Sequence, residues 1–137
     1  MAYPVYPDAL IARILRSVKT IAMVGASANE VRPSFFAMKY LSDKGFKIIP
    51  INPGQAGKDI LGQKVYARLS DVPAPVDMVD IFRNSEAAGP ITDEVLANKD
   101  RLGVKVLWMQ LGVINEDAAK RATAAGLTVI MNRCPKI

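Results

Sequence analysis

The residues best placed to do chemistry sit in short polar runs that each follow an apolar run. The first is Gly25-Ala26-Ser27-Ala28-Asn29-Glu30-Val31-Arg32-Pro33-Ser34. A dinucleotide fingerprint asks for Gly-x-Gly-x-x-Gly. Gly25 supplies the first glycine, but Ser27 and Glu30 occupy the second and third positions. A tight turn at Gly25, a hydroxyl at Ser27 and a helix starting at Pro33 or Ser34 still suit a phosphate, because a helix start presents free N–H groups. Arg32 lies beside that start, where a guanidinium can fork onto an anion. The bland alternative is a plain strand-to-helix turn with a solvated arginine.

The second run is Ile51-Asn52-Pro53. An NAD site places an acid here for the ribose hydroxyl. Asn52 is neutral and the next charge is Lys58, a pair that tolerates a phosphate on the ribose. Asn-Pro-Gly is also ordinary turn chemistry. The third run, Phe82-Arg83, offers a ring and a cation, against the alternative of core packing and a surface charge. Just before it, Asp77 and Asp80 lie three apart, which puts them on opposite faces of a strand and argues against paired-carboxylate chemistry. Both are expected to be hydrogen-bonding strand residues. The fourth run, Gln110-Leu111-Gly112, brings a carboxamide that donates and accepts, and a glycine that allows close approach. The fifth holds Cys134 beside Arg133, read as a small buried residue. Trp108 is expected in the core or at a subunit interface.

Composition removes several chemistries. The 137 residues contain no histidine, which excludes an imidazole base, ligand or phosphohistidine from this chain. One cysteine cannot form an internal disulfide and suits a reducing cytoplasm. No apolar run reaches the length of a membrane span, and the opening residues lack the apolar core of a signal peptide. Half the residues are hydrophobic and 23% are charged, so the chain folds rather than staying disordered. The net charge of +5 favours an anionic partner. The basic residues are scattered, the densest group being Lys120-Arg121 with Arg133 and Lys136. That argues for a small polyanion and against nucleic acid.

These runs need elements to position them. Leu10, Ile11, Ile14, Leu15 and Val18 recur at helical spacing, with Asp8 as the expected N-cap. Thr20 to Val24 reads as a buried strand, and a helix follows from Pro33 or Ser34 to a stop at Gly45. Phe46 to Ile51 is the second strand, followed by a glycine-rich loop from Gly54 to Gly62 and one helical turn at Leu69-Ser70-Asp71. Val76 to Phe82 is the third strand. Ser85 opens a helix to about Asn98, disturbed by Gly89-Pro90. Val104 to Met109 is the fourth strand, Asn115 caps a helix from Glu116 to Ala125, and Leu127 to Met131 is the fifth strand. Apolar strands alternating with helices imply an α/β fold: a Rossmann-like, doubly wound parallel five-stranded sheet with helices on both faces. One domain over residues 1–137 is expected. In such a sheet, ligands bind beyond the carboxyl ends of the strands, where the polar runs fall.

Val24-Gly25-Ala26-Ser27, Arg32-Pro33-Ser34, Ile51-Asn52-Pro53, Val76 to Arg83, Trp108 to Gly112 and Arg133-Cys134 occur in this order. On these residues the chain resembles the stand-alone CoA-binding proteins of bacteria and archaea, the YccU-like family. It is also similar to the N-terminal CoA-binding domain of the succinyl-CoA synthetase alpha subunit. The resemblance spans about residues 8 to 137. It implies that Gly25, Ala26, Ser27, Arg32, Pro33 and Ser34 form a phosphate loop, that Asn52 and Pro53 with Lys58 lie on the adenosine side, and that Phe82, Arg83, Gln110, Leu111 and Gly112 form the facing wall. Asn132 departs from the Asp that usually precedes Arg-Cys in such proteins. The implied ligand is coenzyme A or an acyl-CoA, bound without catalysis by this chain. An NAD(P)-linked oxidoreductase and a partial acyl-CoA ligase remain as alternatives. So does an interaction subunit, a homodimer or one with an unidentified protein partner, displaying Trp108, Tyr3 and Tyr6. A mixed disulfide between Cys134 and the CoA thiol requires the sulfur to reach the pantetheine end of the site.

Overall fold

The computed structural model describes residues 6–134. Apolar runs bounded by glycine, asparagine or lysine become strands because both of their faces can be covered. The elements are α1 (Asp8–Ser17), β1 (Thr20–Val24), α2 (Pro33–Asp43), β2 (Lys47–Ile51), β3 (Asp59–Ile60), β4 (Gln63–Lys64), β5 (Met78–Ile81), α3 (Ser85–Leu102), β6 (Val106–Met109), α4 (Glu116–Ala124) and β7 (Thr128–Ile130). Five strands form one parallel sheet in the order β2-β1-β5-β6-β7. The chain winds outward from β1 to β2, then returns past β1 to build the other side. The reversal between β1 and β5 opens a crevice at the sheet's carboxyl edge.

Side chains alternate across the sheet and sort into two cores. Ala22, Ile49, Val79, Ile81, Leu107 and Met109 pack under α3 and α4. Ile21, Met23, Ile48, Met78, Val106 and Trp108 pack under α1 and α2. Each such side chain removed from water contributes about 1.5–3 kcal/mol. Trp108 is fully buried, so it is a core residue and not a displayed aromatic. The Tyr6 hydroxyl accepts a hydrogen bond from the Met131 N–H at 3.0 Å, tying the start of the chain to the last strand. Tyr3 and Lys136 lie outside the described residues. Among the described residues, no helix is long and apolar enough to cross a membrane.

Three local expectations are corrected. Asp8 does not cap α1: Pro7 takes the N-cap position and Asp8 falls in the first turn. Its carboxylate instead meets Arg133 at 3.5 Å. Gly89-Pro90 does not break α3, which runs unbroken to Leu102 and stops at the left-handed Gly103. Pro90 is the sixth residue of α3, so the helix lacks one N–H toward the Glu86 carbonyl, and burial of Ala88, Thr92, Val95 and Leu102 offsets the loss. The segment 54–62 is not a bare loop. It begins with a 3-10 turn, Pro53–Gln55, and leads into the short β3–β4 hairpin, whose Ile60 closes over the α1–α2 core. The single turn at Leu69–Asp71 and the asparagine cap of α4 are as expected.

Candidate functional site

Two loops meet at the reversal between β1 and β5. The Phe82 N–H donates to the Val24 carbonyl at 2.8 Å, and the Gly25 N–H donates to the Ile51 carbonyl at 2.9 Å. Gly25 has φ +92°, and a Cβ there would fall 2.4 Å from the Phe82 carbonyl oxygen. Only glycine lets these loops close together.

Beyond this junction lie two cavities with a common wall. The polar one, about 620 Å³, is lined by Gly25, Ser27, Arg32, Pro33, Ser34, Asn52, Pro53, Gln55, Phe82, Arg83 and Asn84, together with Val24. The apolar one, about 530 Å³, is lined by Val31, Pro33, Phe36, Ala37, Phe82, Arg83, Gln110, Leu111, Val113 and Cys134. Pro33, Phe82 and Arg83 belong to both. No carboxylate lines either cavity. Arg32 and Arg83 are exposed and form no ion pair among the described residues. By contrast, Arg121 is held by Asp93 and Asp117, and Arg133 by Asp8. The unspent positive charge of the crevice therefore lies at its polar end, an electrostatic setting for an anion. At the start of α2 the donors are fewer than expected. Pro33 brings no N–H, and those of Phe35 and Phe36 turn back to the Arg32 carbonyl at 3.0 and 3.4 Å.

The loop walls differ in how they are held. In the outer part of the β1–α2 loop, residues 27–32, the bonds are local: Asn29 N–H to Ser27 Oγ at 3.1 Å, Val31 N–H to Asn29 Oδ1 at 3.2 Å, and Arg32 N–H to the Asn29 carbonyl at 3.0 Å. The β6–α4 loop is braced from elsewhere in the chain. Gly112 N–H donates to Asn132 Oδ1 at 2.8 Å, Ile114 N–H to Ser85 Oγ at 2.9 Å, and Asn115 Nδ2 to the Ser85 carbonyl at 3.0 Å. Asn132 takes a positive φ of 56°, which asparagine tolerates, so the chain turns back after β7.

Asn52 stitches the loops after β1 and β2 together: its Nδ2 donates to the Ala26 carbonyl at 2.8 Å and its Oδ1 accepts from the Gly54 N–H at 2.9 Å. Ala26 is buried and lines neither cavity; its part is that carbonyl. Gly112 likewise supports the wall without lining it. Lys58, expected beside the adenosine, is exposed in the turn before β3 and lines neither cavity. The 3-10 turn that follows Asn52 still borders the polar cavity through Pro53 and Gln55, and Lys58 lies beyond it. Cys134, expected to be buried, is half-buried and lines the apolar cavity.

Sequence reasoning named Leu111 but missed Val31, Phe36, Ala37 and Val113 of the apolar lining. Val31, Phe36 and Leu111 are 77%, 51% and 67% exposed, three of the four large exposed hydrophobics among the described residues. The spacing of Pro33, Phe36 and Ala37 on one helix face was a usable signal.

Two buried groups stand out. Asp77 is a hydrogen-bonding residue as expected, accepting from the Lys19 and Thr20 N–H groups at 2.8 and 3.0 Å. Asp80 is not: it is fully buried, and neither carboxyl oxygen has a partner. Burial pushes its pKa well above the ordinary carboxylate range. It shares a sheet face with Met23 and Trp108, its register neighbours. The Gln110 Oε1 is also buried and unpartnered. An orphaned buried acceptor costs about 1–3 kcal/mol. Coenzyme A fits the lining: its phosphates suit the arginine end, and its long arm suits the apolar end.

The uncharacterized protein YneT of Bacillus subtilis (strain 168) is 36% identical over 127 residues, covering 93% of this chain and 90% of that protein. The structure of cell-free ID.343 from Thermus thermophilus superposes with a TM-score of 0.87 at 32% identity, covering 96% of this chain and 95% of that one. An ADP-forming acetate–CoA ligase II of Archaeoglobus fulgidus is 32% identical over 106 residues, or 76% of this chain. This chain matches only 15% of the ligase's length. The family model described as "CoA binding domain" matches residues 19–137, and the chain belongs to that family.

Proposed function

We propose that this chain binds coenzyme A, as one binding unit, and does not itself transform it. The observation that carries the reading is the pair of adjoining cavities: one polar, with two unpaired guanidiniums and no carboxylate, the other apolar, joined at Phe82 and Arg83. The 3′-phosphate and pyrophosphate lie at the polar end, near Ser27, Arg32, Ser34 and Arg83. Asn52 and Pro53 border the adenosine. The pantetheine arm passes Phe82 and enters the apolar cavity, along the wall that holds Gln110 and Leu111. The absence of an acid at Asn52 favours CoA over NAD, whose ribose diol calls for one. The chain carries no histidine, so the reading assigns it no phosphohistidine step and makes it a holder of the nucleotide.

Thermal unfolding with CoA, dephospho-CoA, acetyl-CoA, NAD and NADP tests this. A ligand at about 100 times its Kd adds about 2.7 kcal/mol, a rise of several degrees. CoA is expected to raise the midpoint, dephospho-CoA to raise it less, and NAD to leave it unchanged. No rise with CoA, or a larger one with NAD or NADP, overturns the reading.

A further inference from the structure

We propose that Asp80 is a positioning residue: its carboxyl carries a proton, donates it in a hydrogen bond to the Gln110 Oε1, and so turns the Gln110 Nε2 toward the apolar cavity as a donor. The inference rests on the CoA reading above for the ligand that meets Nε2. It goes beyond that reading by giving a role to a buried acid that lines neither cavity.

Acceptors outnumber donors in this layer of the core. Among the described residues, three buried side-chain atoms lack a hydrogen-bond partner: both carboxyl oxygens of Asp80 and the Oε1 of Gln110. All three can only accept while Asp80 is ionised. They also share a face of the sheet. β5 and β6 run parallel, with Asp80 beside Trp108 and Ile81 beside Met109. The Gln110 N–H donates to the Ile81 carbonyl at 3.2 Å, which carries the ladder past the end of β6. Side chains alternate across a sheet, so Gln110 follows Trp108 on the face that holds Asp80. A strand spacing of about 4.8 Å and a rise of about 3.3 Å per residue put the two Cα atoms roughly 8 Å apart. A glutamine and an aspartate leaning together close that gap.

One proton resolves the imbalance. A protonated Asp80 gains an O–H donor, and Oε1 is the unfilled acceptor on its face. The surroundings favour the neutral acid. Asp80 is fully buried, and the helices over it bring Ile11 and Ile14 from α1 and Ala37, Met38 and Leu41 from α2. Tyr6 and Tyr40 are the titratable side chains packed against that cluster, and Cys134 lies in the cavity wall. No neighbouring charge moves the carboxyl: burial alone pushes its pKa well above the ordinary range.

The other end of the amide is what the cavity meets. Gln110 borders the apolar cavity, yet its Oε1 is shut off from solvent. Its Nε2 makes no hydrogen bond among the described residues and is not among the buried orphans, so it keeps accessible surface. A donor held there suits a carbonyl oxygen on the amide-bearing arm of the coenzyme.

The test uses the full chain and variants of the two residues. Infrared spectra at neutral pH are expected to show a protonated-carboxyl band that Asp80→Asn removes. Gln110→Leu should keep the band and shift it, because the O–H loses its acceptor. These readings need no ligand. CoA binding is then titrated by calorimetry. Asp80→Leu and Gln110→Leu should each weaken it by about tenfold, the loss of one hydrogen bond, and the double variant should bind no worse than either. Asp80→Asn keeps an N–H for Oε1 and should recover the binding that Asp80→Leu loses. No band in the wild type, or a band unmoved by Gln110→Leu, overturns the assignment even where Asp80→Leu does not fold. The expected band with binding losses that add, or with Asp80→Leu binding like the wild type, overturns the positioning role and leaves the CoA reading intact. A wild type that binds no CoA overturns the CoA reading and the contact made by Nε2, and the band still decides the Asp80–Gln110 bond.

Discussion

Gly25→Ala separates backbone strain from steric conflict at the junction of the two loops. Any L-residue at φ +92° pays for a left-handed backbone, about 1–2 kcal/mol. Here the added Cβ also meets the Phe82 carbonyl oxygen at 2.4 Å and its carbon at 2.9 Å. Both are backbone atoms of a residue tied to β1, so they cannot swing away as a side chain tip would. Forcing atoms into packed space costs about a further 1–3 kcal/mol. Gly126→Ala is the matched control. Its φ is +93°, and nothing lies within 4 Å of the built Cβ. It carries the strain without the collision. The difference between the variants is then about 1–3 kcal/mol, or roughly 4–12 °C in the unfolding midpoint of a domain this size. Differential scanning calorimetry of both proteins at one pH measures it. A midpoint for Gly25→Ala no lower than that for Gly126→Ala would refute the reasoning.

Two further outcomes follow from other residues. Asp80→Asn should change how stability varies with pH. A carboxyl whose folded pKa is raised keeps its proton after the unfolded chain has lost one, so stability falls as pH rises above the unfolded value of about 3.9. Relative to wild type, the variant should gain about 1.4 kcal/mol per pH unit in that window, until the folded carboxyl ionises; urea unfolding from about pH 4 to about pH 7 reads this, and parallel curves would count against it. Arg32→Ala should leave stability within about 0.5 kcal/mol, because the side chain is exposed. It should weaken CoA binding by about tenfold or more, the loss of one charge-assisted hydrogen bond, and calorimetric titration would show an unchanged Kd if Arg32 does not meet a phosphate.

The sheet was legible because its signal is local and redundant. Thr20 to Val24 is a short apolar run closed by Gly25, and the other main-sheet strands are likewise short, largely apolar runs that give way to polar residues. Asn115 reads as a cap because Glu116 and Asp117 follow it. The hairpin Asp59–Lys64 was not legible, since two-residue strands have no period to detect. Pro90 misled because its effect depends on how far it lies from the helix start, which local pattern does not disclose. Of the candidate site, the polar residues were visible through their place after strands. Leu111 was visible in the same way, but Val31 and Phe36 were not: they share a cavity with Leu111 only once the sheet is built. Asp80 looked ordinary in an alternating run, because nothing nearby in the chain reveals that α1 and α2 cover its face.

The unequal bracing of the crevice has a kinetic consequence. One jaw, 112–115, is anchored by Ser85 and Asn132, and it opens only if contacts between distant segments break together. The other jaw, 28–32, is closed by bonds among its own neighbours and can yield alone, at a lower free energy. A molecule held in the crevice is therefore expected to leave on that side, past Val31, with a residence time set by how often that small loop lets go.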